Sequence, residues 1–151
     1  MVILDKKDKY ETLCAQIECL SEGENNVVGV LSNISSAMHE TFPESYFWVG
    51  FYLVKSEQEL TLGPFQGSIA CYRIRKGRGV CGTAWEKACP LIVPDVDLFP
   101  GHIACSSESR SEIVIPIIYN KVIKGVLDID SDKADSFDES YRKGLEEMVN
   151  L

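Results

Sequence analysis

Three cysteines, Cys71, Cys81 and Cys105, stand in a stretch rich in glycine and small residues between Gly63 and Glu112. It reads G-P-F-Q-G-S-I-A-C-Y-R-I-R-K-G-R-G-V-C-G-T-A-W, then an apolar run, then D-V-D-L-F-P-G-H-I-A-C-S-S-E-S-R-S-E. Glycine lets backbone approach a ligand closely and adopt conformations that a side chain forbids. The pattern predicts folded loops around a small pocket that carries thiol chemistry. Carboxylates follow. Glu112 opens one apolar run, and Asp128 and Asp130 close the next, two apart and so on one face of a strand. A turn at Asn120 brings Glu112 level with about Asp128, and strand spacing puts all three acids within about 5–10 Å. Like charges this close are unfavourable unless a cation sits among them, and a substrate ammonium is the neatest counterion. The competing reading is a set of solvated strand-end acids.

The bulk numbers narrow the classes. The chain has 151 residues, a net charge of −8, 45% hydrophobic and 25% charged residues. That predicts one domain, over residues 1–151, large enough to bury a core without staples. An acidic surface repels phosphate backbones, so no nucleic acid is expected as partner. The sequence lacks an 18-residue apolar run and an evident signal peptide, so no membrane association and a cytoplasmic location are expected. In a reducing compartment six cysteines do not read as a disulfide framework. They lack a C-x-x-C pair, and the two histidines, His39 and His102, are far apart, so no metal site is assigned.

Elements must position these groups. Tyr10, Leu13, Ile17 and Leu20 recur at helical steps over residues 5–22, with Cys14 on the stripe and Cys19 near it, both expected to be buried or half-buried. A second helix is expected over 27–41, with Val27, Val30, Leu31, Ile34 and Met38 as its stripe, Asn25 or Asn26 as cap and Pro43 at its end. Residues 46–54, Y-F-W-V-G-F-Y-L-V, form a strong strand signal. Alternation puts Trp48, Gly50 and Tyr52 on one face and Phe47, Val49, Phe51 and Leu53 on the other. If the first face lines a cavity, Trp48 and Tyr52 are its walls; otherwise they are half-exposed sheet aromatics.

Further strands are expected over 60–65 and 69–74, and a short helix over 80–87. Cys81 falls in the first turn of that helix, where the dipole favours a thiolate. A short strand at 91–93 follows Cys89, a packing thiol. Residues 94–110 make a connection long enough to be a pocket wall or lid, with Phe99, Ile103 and Ala104 arguing for order. Strands over 111–119 and 122–130 form a hairpin. A last helix carries Tyr141, Leu145, Met148 and Val149, with Ser136 and Glu139 as a capping box. The order predicts an α+β domain with a central antiparallel sheet of five to six strands, terminal helices packed on one face and pocket loops on the other.

The runs W-V-G-F-Y, L-G-P-F-Q-G, G-R-G-V-C-G-T-A, F-P-G-H-I-A-C, S-E-I-V-x-P and G-V-L-D-I-D-S resemble the free methionine-(R)-sulfoxide reductase family, which uses a GAF-type fold as an enzyme. The resemblance covers about residues 25–150. It implies Cys105 as the catalytic cysteine, Cys71 as the resolving cysteine and Cys81 as a third cysteine implicated in recycling. It implies Glu112, Asp128 and Asp130 as the acids that bind free methionine sulfoxide, and Trp48 and Tyr52 as the aromatic wall around its methyl end. Ser106 stands where the family often has aspartate, and Ile69 where it often has proline. The implied reaction uses no bound cofactor. Cys105 thiolate attacks the sulfoxide sulfur, with Glu112 or Asp130 protonating the oxygen. The resulting sulfenic acid condenses with a thiol, for which Cys71 is preferred over Cys81, and a dithiol such as thioredoxin reopens the disulfide. GAF domains often pair through their terminal helices, so a homodimer is an open expectation. The rival functions are a non-catalytic GAF sensor of a small ligand and a thiol redox switch.

Overall fold

In a computed structural model, residues 6–102 and 108–149 are described. The order is α1 (Lys6–Ser21), α2 (Val27–Thr41), β1 (Trp48–Val54), β2 (Glu59–Gln66), β3 (Arg73–Arg75), α3 (Gly79–Lys87), β4 (Leu91–Val93), a 3-10 turn (Val96–Leu98), β5 (Ser111–Tyr119), β6 (Val122–Ser131) and α4 (Glu139–Val149). The strands make one six-stranded sheet in the order β3-β2-β1-β6-β5-β4, and every neighbouring pair is antiparallel. This is the α+β arrangement expected, a central antiparallel sheet with helices packed on it. Among the described residues no helix is long and apolar enough to cross a membrane.

Strict alternation in β1, β5 and β6 gives the sheet two buried faces. On one, Val49, Phe51, Ile113, Ile115, Leu127 and Ile129 pack under α1, α2 and α4. The helices return Leu13, Ile17, Met38, Tyr141 and Leu145 to this layer. A buried aromatic cluster of Tyr10, Phe42, Tyr46, Phe137 and Tyr141 closes it, with the Tyr10 and Tyr46 hydroxyls 3.0 Å apart. On the other face Trp48, Tyr52, Val114 and Val126 pack with α3, which contributes Val80, Cys81, Ala84 and Trp85. The site belongs to this second face.

Local chemistry explains the joints. Asn26 caps α2 by accepting from the Gly29 amide at 3.2 Å. Asn120 and Lys121 both take positive φ, 51° and 65°, as the two-residue turn of the β5–β6 hairpin requires. Gly50 leaves room for β2: a Cβ there would stand 2.8 Å from Phe65 Cα and 2.9 Å from the Pro64 carbonyl.

Several expectations are corrected. Val27 is exposed, at the solvent end of α2, and the buried residues of that helix are Ser35, Ala37 and Met38. Cys19 is exposed, because it falls off the Leu13–Ile17 stripe. Phe47 packs with the site-face cluster, since it precedes the regular strand. The strand expected at 69–74 shrinks to Arg73–Arg75. Side chains from β1 hold the preceding segment instead: Trp48 Nε1 donates to the Ser68 carbonyl at 3.0 Å and the Tyr52 hydroxyl to the Cys71 carbonyl at 2.9 Å. Asp138, not Ser136, caps α4; its Oδ1 accepts from the Ser140 and Tyr141 amides, while Ser136 bonds Ser131 and Lys133. The β5–β6 register places Glu112 opposite Asp130, with Asp128 opposite Val114. The turn is centred between Asn120 and Lys121, and an irregularity beside Ile117 and Ile118 leaves Lys124 as an extra residue. Together they shift the pairing by two, which preserves the shared face. Ile103, Ala104 and Cys105, and the side chain of Met148, for which the sequence carries expectations, lie outside the described residues.

Gly50→Ala is expected to destabilise the protein by about 1–3 kcal/mol, since the clash is with backbone as well as with Phe65 Cβ. Val27→Ala, at an exposed site, should stay within about 0.5 kcal/mol of wild type. Urea unfolding of both variants measures the contrast; equal effects would contradict these packing assignments.

Candidate active site

The site is a row across the centre of the sheet. Register sets Trp48 (β1) beside Asp130 (β6), Asp130 beside Glu112 (β5) and Glu112 beside Val93 (β4). The next row holds Gly50, Asp128 and Val114. Because alternate residues share a face, Trp48, Tyr52, Glu112, Asp128 and Asp130 all point to the side covered by α3. They line one pocket of about 50 Å³, with Cys81 from α3 against its acidic end.

The aromatic wall is buried, not half-exposed: Trp48 is 4% and Tyr52 2% accessible. Phe65 of β2 stacks on Trp48 at 5.1 Å between ring centroids, and Trp48 on Tyr52 at 6.1 Å. The Trp48 and Tyr52 polar atoms are spent on the Ser68 and Cys71 carbonyls, so their rings present apolar surface to the pocket.

The acidic end carries the electrostatic strain. Glu112 and Asp128 are buried and Asp130 is half-buried. Burial, followed by the charges of Asp128 and Asp130, pushes the Glu112 carboxyl well above its ordinary range. Burial and the Asp128 charge do the same to Asp130. Burial also raises Asp128, against the pull of hydrogen bonds from Glu112 and Cys81 and of the His102 charge. The trio therefore keeps protons at pH values where exposed carboxylates have lost theirs. Such a group of acids can hold a ligand's ammonium and can also donate a proton.

Cys81 lies in the first turn of α3, as the sequence predicts, but its thiol is not activated there. Burial, then the charges of Asp128, Glu112 and Asp130, drive it well above the ordinary thiol value. A helix dipole contributes at most about 2 kcal/mol and is outweighed. Cys81 is a free thiol, with Sγ donating to Glu112 Oε2 at 3.9 Å. Cys14 and Cys89 are half-buried, and Cys89 is a free thiol. Cys71 is disulfide-bonded. Cys105 lies outside the described residues.

The structure also brings in His102, which the sequence left unassigned. It lines the pocket, and its Nε2 is 3.9 Å from Glu112 Oε1. Its sequence signal was its place in the F-P-G-H run, because only the path of the intervening loop sets its distance from Glu112.

These pKa shifts link the site to stability. The folded-state values of Glu112 and Asp130 are raised, so the stability they contribute is full below their unfolded values, about 4. It is lost as pH rises through the folded values. The ligand-free protein is expected to melt at lower temperature at pH 8 than at pH 5. Glu112→Gln should flatten that slope and raise Tm at pH 8, by about 2–4 °C for each kcal/mol of repulsion relieved. Calorimetry of the two proteins checks this; a Tm lowered equally at both pH values would show Glu112 to be ionised and well paired.

The description "GAF domain" fits residues 24–151 as a family match. GAF domain-containing protein A of Dictyostelium discoideum is 59% identical over 97% of this chain and 91% of its own length. Free methionine-R-sulfoxide reductase of Saccharomyces cerevisiae is 44% identical over 98% of this chain and 86% of its own. The X-ray structure of free methionine-R-sulfoxide reductase from Neisseria meningitidis in complex with its substrate superposes with a TM-score of 0.94. It is 46% identical, over 99% of this chain and 89% of that one. With identity and fold alike running over nearly the whole length, the chain belongs to the free methionine-R-sulfoxide reductase family of GAF-domain proteins.

Proposed function

We propose that this protein reduces free L-methionine-(R)-sulfoxide to methionine within a single catalytic domain. The observation that carries the reading is the buried acidic trio Glu112, Asp128 and Asp130, facing the Trp48–Tyr52 wall beside a disulfide-bonded Cys71. The acids suit the ammonium of a free amino acid, and the aromatic rings suit its methyl end. A methionine inside a polypeptide has no ammonium to offer and would leave buried acids without a partner, a mismatch that can cost a factor of about 10⁴.

In the first half-reaction the Cys105 thiolate attacks the sulfoxide sulfur. Glu112 or Asp130, whose carboxyls burial and neighbouring charge hold well above the ordinary range, gives a proton to the oxygen, which passes to Cys105 as a sulfenic acid and leaves methionine. Cys71 then attacks the sulfenic sulfur, forming a disulfide and releasing water. The oxidised state of Cys71, against the free and deactivated thiol of Cys81, supports Cys71 as this partner. Tyr52, which holds the Cys71 carbonyl, positions it. An external dithiol such as thioredoxin supplies two electrons and two protons to reopen the disulfide. A disulfide reopened in every cycle suits the cytoplasm, a reducing compartment. A homodimer through the terminal helices belongs to the same reading, supported by the exposed Val27 and Val28 at the start of α2.

Turnover with the R epimer and dithiothreitol is expected in wild type and absent in Cys105→Ser, with no turnover of the S epimer by either. A folded, reduced wild type inactive on both epimers would refute the reductase reading. Cys71→Ser should release one equivalent of methionine and then lose thioredoxin-supported turnover about tenfold or more. Full turnover in Cys71→Ser with loss in Cys81→Ser would transfer the resolving role to Cys81. Asp128→Asn is expected to raise KM for the sulfoxide about 10²-fold, measured by initial rates, because it removes one partner of a buried charge pair.

A further inference from the structure

We propose that Cys81, Glu112 and Asp128 form a binding site for a borderline-soft divalent cation, zinc above all, at the acidic end of the pocket. Each residue offers one ligand atom, and the three atoms lie within 4.8 Å of one another on buried side chains. Cys81 Sγ is 3.9 Å from Glu112 Oε2. Tetrahedral zinc, with bonds of about 2.3 Å to sulfur and 2.1 Å to oxygen, spaces such atoms about 3.6 Å apart. The Cys81–Glu112 pair therefore needs a contraction of only a few tenths of an ångström, and the pairs with Asp128, all within 4.8 Å, close by side-chain rotation of about 1 Å.

A second observation points to a ligand there independently. Among the described residues Asp128 Oδ1 is buried without a hydrogen-bond partner, in a residue only 5% accessible that lines the pocket. An orphaned buried acceptor is costly, and a cation supplies its missing partner. The thiol selects the metal class: sulfur favours zinc over magnesium or calcium, which take all-oxygen sets. The ligands come from three elements fixed by packing, α3, β5 and β6. His102, with Nε2 3.9 Å from Glu112 Oε1, stands where it can orient that carboxylate from outside. A cavity of about 50 Å³ admits the ion and a water as fourth ligand. Binding forms a metal–sulfur bond as the Cys81 thiol gives its proton to solvent, and nothing is oxidised or reduced. The site shares Glu112 and Asp128 with the proposed ammonium site, so metal and sulfoxide exclude each other; this consequence rests on the reductase reading.

The test is a Co²⁺ titration of the full chain, reduced with a phosphine and freed of metal by a chelator. One equivalent should give near-ultraviolet thiolate-to-cobalt absorption that Zn²⁺ abolishes. Cys81→Ala should lose the band, Cys89→Ala should keep it, and Asp128→Asn should weaken binding about tenfold or more. Circular dichroism confirms that each variant is folded. No band in folded wild type, or a band that survives Cys81→Ala, overturns the proposal. The titration needs no substrate, so its outcome is separable from that of the reductase assay. In turnover assays Zn²⁺ should raise the apparent KM for the sulfoxide at unchanged kcat. An unchanged KM at a Zn²⁺ concentration that abolishes the cobalt band would overturn the shared site.

Discussion

Glu112, Asp128 and Asp130 are held together on one sheet face, and desolvation and mutual repulsion oppose their ionisation at once. A sheet can maintain that arrangement because β5 and β6 are locked by nine paired positions in a hairpin. Their opposite face is anchored by Ile113, Ile115, Leu127 and Ile129 against the helices. The apolar layer thus supplies the free energy that keeps acids together on the other side. Only strands with this strict alternation can place a core and a charged site one residue apart.

The same repulsion governs what surrounds the acids. Together with burial, the larger cause, it keeps the Cys81 thiol protonated at a helix start that ordinarily activates cysteine. Beside it, Asp128 keeps a buried acceptor atom with no hydrogen-bond partner among the described residues. A positively charged ligand relieves both conditions, whether an ammonium or a metal ion, and the two readings of the pocket share that cause. At the other end, Trp48 and Tyr52 spend their polar atoms on the segment that carries Cys71. One strand, β1, thereby builds the apolar wall and fixes the segment that carries Cys71.

Much of this was legible in the sequence. Period-two alternation in 46–54, 111–119 and 122–130 specified strands with two different faces, and period-3.6 stripes specified the helices that cover one of them. The spacing of Asp128 and Asp130 put them on one face whatever the register, and an even shift of the pairing left Glu112 with them. The family motifs covered nearly the whole chain, because the loops that line the pocket are the ones that carry specific residues.

Other features were decided only in three dimensions. The extra residue at Lys124, which brings Glu112 opposite Asp130, is a property of how two strands pair and leaves no mark in either alone. The segment around Cys71 leaves the sheet because two β1 side chains take carbonyls that a ladder would otherwise use, and those partners lie 19 and 20 residues away. His102 meets Glu112 through loop placement, and Cys81 meets the acids because α3 folds back over β5 and β6. Local sequence thus determined which residues lie on which face and which are chemically able. The tertiary structure decided their protonation, since desolvation and the charges of remote neighbours exist only once the chain has closed around them.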